Sequence, residues 1–213
     1  MKIDLIYPKI VGTKNFPVKD CIGFEKCDGS NTHFCWNKDR GFYAFGTRRS
    51  RYDLNAAGID EFKLYHKGLE DVIPTFEKSL ASLEDDNLLR QHSDVTLFAE
   101  FLGERSFAGS HIADDDKKLV LFDVLADGNF LSPWTFVEKY GDLKDCNAAR
   151  VVYSGRYNGQ LINDIRTGKF DVKEGVVLKG VNKDTVYRAK IKTDAYLARL
   201  KEAFNDKWID YWE

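Results

Sequence analysis

The apolar residues of this chain fall mostly in short runs separated by turn residues, a pattern typical of β-strands. The runs at 96–102 and 118–125 are compact enough to be buried strands. Residues 37–41 have the composition of a turn and are predicted to join two strands in a hairpin. The predicted strands are 3–11, 18–26, 32–35, 41–45, 96–102, 118–125, 151–153, 175–178 and 185–191.

Three segments carry a helical pattern instead. Residues 71–84 place apolar side chains at spacings of three, four and three, which predicts a helix with one core-facing side. Ser132-Pro133 is a helix start and predicts a short helix through Tyr140. Residues 194–212 predict an amphipathic helix that either packs on its own domain or docks a partner or nucleic acid. Strands in the middle with helices at the flanks predict an α+β fold of mainly antiparallel sheets.

The composition suits one sizeable globular domain, or one domain with a short appendage. The chain has 213 residues, of which 43% are hydrophobic and 31% are charged. Its formal net charge is −2, so no global positive field draws it onto nucleic acid. Any nucleic-acid binding must therefore come from local patches.

The cysteines and the N-terminal sequence predict a cytoplasmic protein with no membrane association. The four cysteines are Cys21, Cys27, Cys35 and Cys146. They form no CxxC pair and show no zinc-site spacing, so we expect reduced thiols. The N-terminal apolar run contains charged residues, unlike a signal peptide. No window approaches the roughly 18 apolar residues of a membrane span.

The stretch 24–31 is the first candidate for chemistry, because it places Lys26 two residues before Asp28 and three before Gly29. Asp-Gly is a preferred turn dipeptide, so this tetrapeptide alone is most simply a solvated turn. A loop at a strand end can also present a reactive lysine on a rigid scaffold. The choice depends on whether other parts of a nucleotide site follow.

Acidic residues accompany three of the downstream strands. Glu100 and Asp123 lie inside apolar runs, and Glu174 comes directly before another run. Burying a lone carboxylate is costly unless a cation or hydrogen-bond donor meets it. These acids therefore either point to water at a sheet edge or belong to a polar site.

Cations form two local clusters. Arg188, Lys190 and Lys192 alternate along a predicted strand and share one of its faces. A phosphate ligand would relieve their mutual repulsion, and a solvated sheet edge is the alternative. The other cluster consists of Arg48, Arg49 and Arg51.

Taken together, these residues suit attack on the α-phosphate of a nucleoside triphosphate. They comprise an amine, arginines, an aromatic beside an acid, further acids and paired lysines. The attacking lysine must be deprotonated, and neighbouring cations with a bound metal can lower the pKa of such a lysine. Carboxylates would hold Mg²⁺ directly or through its waters. The cations would offset the charge that grows on the phosphate oxygens.

With these motifs in this order, the chain resembles the covalent nucleotidyltransferase superfamily of polynucleotide ligases and mRNA capping enzymes. Within it, the chain is most similar to the ATP-dependent RNA ligases of the nick-sealing, phage-repair type. The resemblance runs from Tyr7-Pro8 to Lys192. It implies an ATP-grasp-like nucleotidyltransferase (adenylation) domain at 1–193. The C-terminal helix at 194–213 would follow in place of the separate second domain that the family normally carries.

The resemblance also implies roles for single residues. Lys26 would become the lysyl-adenylate, while Lys190 and Lys192 grip the α-phosphate. Arg49, or else Arg48, would contact phosphate or ribose. The other expected nucleotide-binding residues are Glu25, Asn31, Glu100 at the ribose hydroxyls, Phe122 on the purine with Asp123 as its partner, Glu174 and Lys179. The expected metal ligands are Glu174, Asp28 and Glu100.

The implied reaction is RNA repair with ATP as the AMP donor and Mg²⁺ or Mn²⁺ as the cofactor. Lys26 attacks ATP, AMP then passes to an RNA 5′-phosphate, and a 3′-hydroxyl displaces AMP. The expected partner is RNA or an RNA-containing nicked duplex, with a partner protein as a further source of strand binding.

Asn31 favours an RNA ligase, because DNA ligases and capping enzymes usually carry arginine at this position. Gly-Ser-Asn resembles the RNA ligase version. Three alternatives stay open: a compact ATP-dependent DNA ligase, a capping guanylyltransferase-like enzyme that uses GTP, and a non-catalytic nucleic-acid-binding module.

Overall fold

Two antiparallel sheets form the framework of the computed structural model, which describes residues 6–85, 87–103, 116–142 and 147–211. The chain divides into two compact units. The first comprises Met1–Pro8, Gly29–Leu131 and Phe136–Ala148. The second comprises Lys9–Asp28, Ser132–Thr135 and Ala149–Glu213.

The second unit contains a four-stranded sheet, and the first strand of the chain is one of its members. Its strands, in spatial order β10-β9-β1-β8, are β1 (Asp20–Lys26), β8 (Val151–Arg156), β9 (Gly175–Asn182) and β10 (Thr185–Lys192). A two-residue turn joins β9 to β10, and both of its residues, Lys183 and Asp184, have positive φ as this hairpin turn requires. The helices α5 (Gly159–Arg166) and α6 (Asp194–Phe204) belong to the same unit. Leu161 and Ile165 of α5 are buried in its core.

The first unit contains a six-stranded sheet in the order β4-β3-β2-β5-β6-β7. Its strands are β2 (Ser30–Asn37), β3 (Gly41–Thr47), β4 (Ser50–Asp53), β5 (Asp94–Leu102), β6 (Lys118–Ala126) and β7 (Asn129–Phe130). The helices of this part of the chain are α1 (Ala56–Tyr65), α2 (Val72–Glu77) and α3 (Asn87–Arg90), and α4 (Pro133–Tyr140) follows β7.

Aromatic side chains fill the core of the first unit. Phe34 of β2 stacks on Phe76 of α2 with ring centroids 4.2 Å apart. Phe45 of β3 packs against Phe62 of α1 at 5.0 Å. These contacts attach α1 and α2 to the sheet.

The structure confirms the predicted α+β fold and most of the predicted strands. The hairpin around 37–41 joins β2 to β3, and the helix that begins at Pro133 ends at Tyr140 as expected. Within 6–11 the structure has no strand, only a bridge between Val11 and Ala189. Residues 3–5 of that predicted strand lie outside the described residues. The prediction also lacked α1, α3, α5, β4 and β7.

Two predicted helices are shorter than expected. In 71–84, α2 ends at Glu77 and a 3₁₀ helix follows at Leu80–Asp85, although the four apolar residues of the predicted stripe are buried. The hydroxyl of Ser79 donates to the carbonyl of Thr75 at 2.7 Å at this break.

The C-terminal helix predicted to extend to 212 ends at Phe204. Asn205 has a φ of 47°, which leaves the helical region, and a 3₁₀ helix continues through Asn205–Tyr211. Residues 212 and 213 lie outside the described part. Tyr196, Leu197 and Leu200 of α6 are buried, so this face packs rather than facing solvent. The division into a domain at 1–193 and a helix at 194–213 stays a prediction.

None of the helices in the described ranges has the length and apolar character needed to span a lipid bilayer.

Candidate active site

Three neighbouring strands of the second unit bring Lys26, Glu174 and Lys192 together. Lys26 is the last residue of β1 and lies opposite Gly175, the first residue of β9. Gly175 in turn lies opposite Lys192 at the end of β10. Glu174 directly precedes β9, so its side chain emerges between the two lysines.

The Lys26 amine and the Glu174 carboxylate form a close ion pair. Nζ of Lys26 lies 2.9 Å from each carboxylate oxygen. The Glu174 side chain is 4% exposed and that of Lys26 is 24% exposed. Burial raises the pKa of Glu174, while Lys26 and Lys192 act to lower it. A buried carboxylate therefore holds the candidate nucleophile in a defined position.

The glycine after Glu174 is required by the close approach of β10. A Cβ atom on Gly175 would lie 2.0 Å from the carbonyl oxygen of Ile191, which any larger residue would have to displace. This contact explains why a glycine follows the acid at this strand end. It keeps Glu174 in reach of the lysines on both neighbouring strands.

Lys190 and Lys192 place two further positive charges near Glu174. Nζ of Lys192 lies 3.9 Å from Oε1 of Glu174. Burial lowers the pKa of Lys190 to about 8, and the charges of Lys192, Lys26 and Lys9 act in the same direction. Burial also lowers the pKa of Lys192, against the opposing effect of Glu174. Crowded, half-buried cations of this kind favour an anionic ligand.

Asp28 and Tyr196 complete this cluster from two different elements. Asp28 is buried two residues after Lys26, and the Tyr196 hydroxyl hydrogen-bonds to its carboxylate. Nζ of Lys192 lies 5.4 Å from the centroid of the Tyr196 ring. The pKa of Tyr196 is raised, first by burial and then by Glu174 and Asp28. Tyr196 thus contacts both a predicted metal ligand and a predicted phosphate ligand.

A helix cap fixes the position of Tyr196. The Thr193 side chain accepts a hydrogen bond from the Tyr196 backbone N–H at 3.1 Å and so caps α6. The Thr193 N–H donates to the carbonyl of Glu174 at 2.9 Å, which ties the helix start to the ion pair. Sequence reasoning missed Tyr196, although its place on the buried face of a helix that starts just after Lys192 was a usable signal.

Glu25 and Lys179, also expected to bind nucleotide, have other contacts. Glu25 accepts a hydrogen bond from Nε of Arg150 at 2.9 Å, and this contact raises the pKa of Arg150. Lys179 is 2% exposed and its Nζ lies 5.0 Å from the Phe24 ring centroid. It is four residues beyond Gly175 on β9, a rise of roughly 13 Å. The roles of Glu25 and Lys179 stay predictions.

In the first unit, Asn31 and Glu100 lie directly opposite each other on β2 and β5. The Gly29 N–H donates to Oε1 of Glu100 at 3.2 Å. A Cβ atom on Gly29 would lie 2.4 Å from the carbonyl oxygen of Phe101, so the glycine permits this approach. The glycine of the Lys-x-Asp-Gly stretch therefore orients one of the predicted acids.

Arg48 rather than Arg49 belongs to this group in the first unit. Nε of Arg48 donates to the carbonyl of Tyr7 at 3.0 Å. Burial lowers the pKa of Arg48, whereas Tyr7 and Glu100 act to raise it. Arg49 is exposed. The structure therefore favours Arg48, the alternative in the sequence prediction, although the role of either arginine stays a prediction.

Phe122 and Asp123 both contact Tyr7. Asp123 is 1% exposed and accepts a hydrogen bond from the Tyr7 hydroxyl at 2.9 Å. The Phe122 ring is half-buried and meets the Tyr7 ring edge-on at 5.2 Å. A register shift between Phe98 and Ala99 on the paired strand falls at this point of β6. Tyr7 thus fixes both the predicted stacking residue and its acidic neighbour, a role that the sequence did not indicate.

No group of three or more His, Cys, Asp or Glu side chains is arranged to hold a metal ion in the part of the chain that the structure describes. The metal ligands expected at Glu174, Asp28 and Glu100 stay predictions. Asp28 and Glu174 lie in the second unit, and Glu100 lies in the first.

Comparison with known proteins identifies the family. A family model described as RNA ligase matches residues 19–192, which include every predicted site residue. The chain belongs to the RNA ligase family. This confirms the resemblance inferred from the motifs between Lys26 and Lys192. A comparison with curated proteins finds none that matches.

Solved RNA ligases share the fold of this chain at low sequence identity. A Naegleria gruberi RNA ligase variant with ATP and Mn has a TM-score of 0.66 and 15% identity, over 95% of this chain and 60% of that one. The same ligase with PPi has a TM-score of 0.60 and 15% identity, over 93% and 61%. An archaeal ATP-dependent RNA ligase has a TM-score of 0.59 and 16% identity, over 96% and 54%.

These likenesses show the expected fold, an RNA ligase nucleotidyltransferase domain with two antiparallel sheets. The chain spans about 60% of the length of the Naegleria ligase and about half of the archaeal one.

Proposed function

We propose that this chain is an ATP-dependent RNA ligase that acts through a covalent lysyl-AMP intermediate on Lys26. The observation that carries the proposal is the position of the Lys26 amine, 2.9 Å from a buried carboxylate. Lys190 and Lys192 lie close enough to interact electrostatically with this ion pair. Triphosphate oxygens are the ligand that such a cation cluster would bind.

The relatives support the choice of nucleotide and metal. The Naegleria ligase variant contains ATP and Mn, and the archaeal relative is described as ATP-dependent. We therefore propose ATP as the AMP donor and Mg²⁺ or Mn²⁺ as the metal ion.

In the first step, the Lys26 nitrogen forms a bond to the α-phosphorus. The bond from that phosphorus to the bridging oxygen breaks, and pyrophosphate leaves. Attack requires the neutral amine, so Lys26 must first lose a proton. Glu174 touches the amine and has a pKa raised by burial, so it is in position to accept this proton. Lys190 and Lys192 would stabilise the charge that develops on the phosphate oxygens.

The carboxylates of the second unit suit the proposed metal. Asp28 and Glu174 offer oxygen ligands, which Mg²⁺ prefers. Mg²⁺ usually keeps several waters and binds substrate phosphates as well, so it does not need three protein ligands. A bound ion would supply charge neutralisation at the phosphates. Glu100 stays a further proposed ligand.

The nucleoside contacts belong to the first unit in this proposal. The half-buried Phe122 ring would stack on the purine, and Glu100 would accept hydrogen bonds from the ribose hydroxyls. Asn31 lies opposite Glu100 and is a further polar contact. Arg48 is the preferred arginine because it is half-buried and held by its hydrogen bond to the Tyr7 carbonyl, and the exposed Arg49 is the alternative.

The later steps act on RNA. AMP passes from Lys26 to a 5′-phosphate, and a 3′-hydroxyl then attacks that phosphate and releases AMP. We propose an RNA strand or an RNA-containing nicked duplex as the substrate, with a partner protein as an additional source of strand binding. The free thiols of Cys21 and Cys35 fit a reducing cytoplasm.

A joining assay tests this function. The protein is incubated with Mg²⁺, ATP and a nicked duplex whose 5′-phosphate is radiolabelled, with either RNA or DNA on the 3′-hydroxyl side. We expect joined product that depends on ATP and on RNA at the 3′ side. Joining that is equal with DNA would favour a DNA ligase instead.

Nucleotide labelling distinguishes the remaining alternatives. We expect a covalent adduct with [α-³²P]ATP but none with [α-³²P]GTP or labelled NAD⁺. An adduct formed only with GTP would indicate a capping guanylyltransferase-like enzyme. Absence of any adduct would indicate a non-catalytic nucleic-acid-binding module.

A further inference from the structure

The segment 38–51 of the first unit, which comprises β3, the turns on either side of it and the start of β4, is locally basic, although the whole chain has a net charge of −2. Residues 38–51 contain five cations and a single acid, Asp39. The cations are Lys38, Arg40, Arg48, Arg49 and Arg51. Arg48 and Arg49 already have proposed roles at the nucleotide. Arg40 and Arg51 have none.

One tyrosine holds both of these arginines. The guanidinium carbon of Arg40 lies 3.9 Å from the centroid of the Tyr43 ring. Arg51 donates a hydrogen bond to the Tyr43 hydroxyl at 2.8 Å, and its guanidinium carbon lies 5.4 Å from the same centroid. Such contacts favour one position of each guanidinium group.

The charge of the two arginines remains available to a ligand. Both side chains are exposed, and neither has an ion pair among the residues that the structure describes. Two acids lie near this turn: Asp39 directly precedes Arg40, and the Glu84 carboxylate lies beside Gly41. Tyr43 therefore orders two guanidinium groups without neutralising them.

We propose that Arg40, Tyr43 and Arg51, which we call the arginine–tyrosine surface, bind the phosphodiester backbone of an RNA strand. Planar guanidinium groups match phosphate oxygens with two hydrogen bonds each and are weakly hydrated, so they suit this ligand. The surface also has the positive charge that distinguishes nucleic-acid interfaces from protein–protein interfaces. The inference rests on the proposed function, because an RNA ligase must hold a strand.

The test is a direct binding measurement that does not depend on catalysis. Fluorescence anisotropy with a labelled single-stranded RNA is measured over a series of KCl concentrations. We expect Arg40→Ala with Arg51→Ala to weaken binding about tenfold. The slope of log affinity against log salt should fall by about 1.4, because each lost single-strand phosphate contact removes about 0.7.

Two further variants isolate the cause. Arg156→Ala with Arg166→Ala removes two exposed arginines of the second unit and the same net charge, and should leave binding within about twofold. Arg40→Lys with Arg51→Lys keeps the charge but loses the planar fork, and should lose less affinity than the alanine pair.

Three results would overturn the proposal: wild-type affinity in the Arg40/Arg51 alanine pair, an equal loss in the Arg156/Arg166 control, or no RNA binding by the wild type. Labelling with [α-³²P]ATP separates this inference from the proposed function. The Arg40/Arg51 pair should form the covalent adduct as well as wild type. Loss of the adduct in that pair would assign the surface to ATP instead.

Discussion

Lys26 and Glu174 are 148 residues apart in the chain, yet the amine of one lies 2.9 Å from both carboxylate oxygens of the other. Strand pairing brings them together, because Lys26 ends β1 opposite the glycine that follows Glu174. The pair joins the proposed nucleophile to a carboxylate that is almost fully buried. The contribution of this ion pair to stability and its role in the reaction can be measured separately.

Removal of one member of this pair should cost more stability than removal of both. Glu174→Ala leaves the half-buried amines of Lys26 and Lys192 without their acid, and we expect a loss of about 2 kcal/mol, below the 3–5 kcal/mol of a fully buried pair. Lys26→Ala should cost less, because the raised pKa of Glu174 lets this acid take up a proton instead. Urea unfolding of the two variants and of the double variant measures the coupling, which should be about 1 kcal/mol or more in favour of the pair. Strict additivity would contradict an ion pair that contributes to folding.

Tyr196 should act on the reaction through Asp28. Tyr196→Phe keeps the buried ring and removes only the hydroxyl that hydrogen-bonds to Asp28. We expect the single-turnover rate of adduct formation at saturating ATP to fall about tenfold, since a lost hydrogen bond to a charged group is worth about 1.5 kcal/mol. The apparent affinity for ATP should change little.

A double-mutant cycle tests the route of this effect. In an Asp28→Asn background, Tyr196→Phe should cause little further loss, because the two residues act as a unit. Tyr157→Phe is the matched control, since it removes a tyrosine hydroxyl that donates to the Thr13 carbonyl in the same unit. Equal, additive losses in both backgrounds would mean that Tyr196 has only a packing role.

Adduct formation should decline in alkaline solution because Lys190 loses its charge. The pKa of Lys190 is lowered to about 8, mainly by burial, so the free protein holds a neutral Lys190 above that pH. We expect the second-order rate constant with ATP to carry a descending limb near pH 8. Lys190→Arg should remove this limb, since arginine stays charged. Identical pH profiles for both proteins would rule out Lys190 as the titrating group.

His33 should make the first unit sensitive to acid. It is fully buried, and burial lowers its pKa from 6.5 to about 4. The unfolded chain therefore binds this proton more readily, so the stability is complete above about pH 6.5 and declines as the pH falls toward 4. The full loss is about 3 kcal/mol.

Stability curves of His33→Asn measure this contribution. Asparagine can still donate to the Thr47 carbonyl that Nδ1 of His33 contacts at 3.1 Å, but it does not titrate. Between pH 6.5 and 4, the free energy of unfolding should fall less steeply in this variant than in wild type. Equal slopes would show that His33 is not the responsible group.

Much of the second unit's site could be predicted from local pattern. Lys190 and Lys192 lie two apart on a strand, so alternation alone places them on one face. The acid that pairs with Lys26 could not be found this way, because Glu174 meets Lys26 through the pairing of Lys26 with Gly175 on β9. The order of the family's motifs indicated Glu174 only as a nucleotide-binding and metal-binding acid.

The residues that sequence reasoning missed owe their roles to tertiary contacts. Tyr7 lies outside any strand, and its hydroxyl reaches Asp123, 116 residues away. In α1 only Gly58 and Phe62 are buried, so this helix lacks the apolar stripe that reveals an amphipathic helix. Asn205 ends α6 with a positive φ, which the continuing apolar spacing of 194–212 did not reveal.

The site of AMP attachment is the most direct test of the proposed chemistry. The protein is incubated with [α-³²P]ATP and Mg²⁺, and the labelled peptide is located by digestion and mass spectrometry. Lys19→Ala, which removes an exposed lysine just before the same strand, is the matched control for Lys26→Ala. We expect one AMP on Lys26 in wild type and in the Lys19 variant, and no adduct in the Lys26 variant. An adduct that persists in Lys26→Ala, or maps to another residue, would contradict the assignment of the nucleophile.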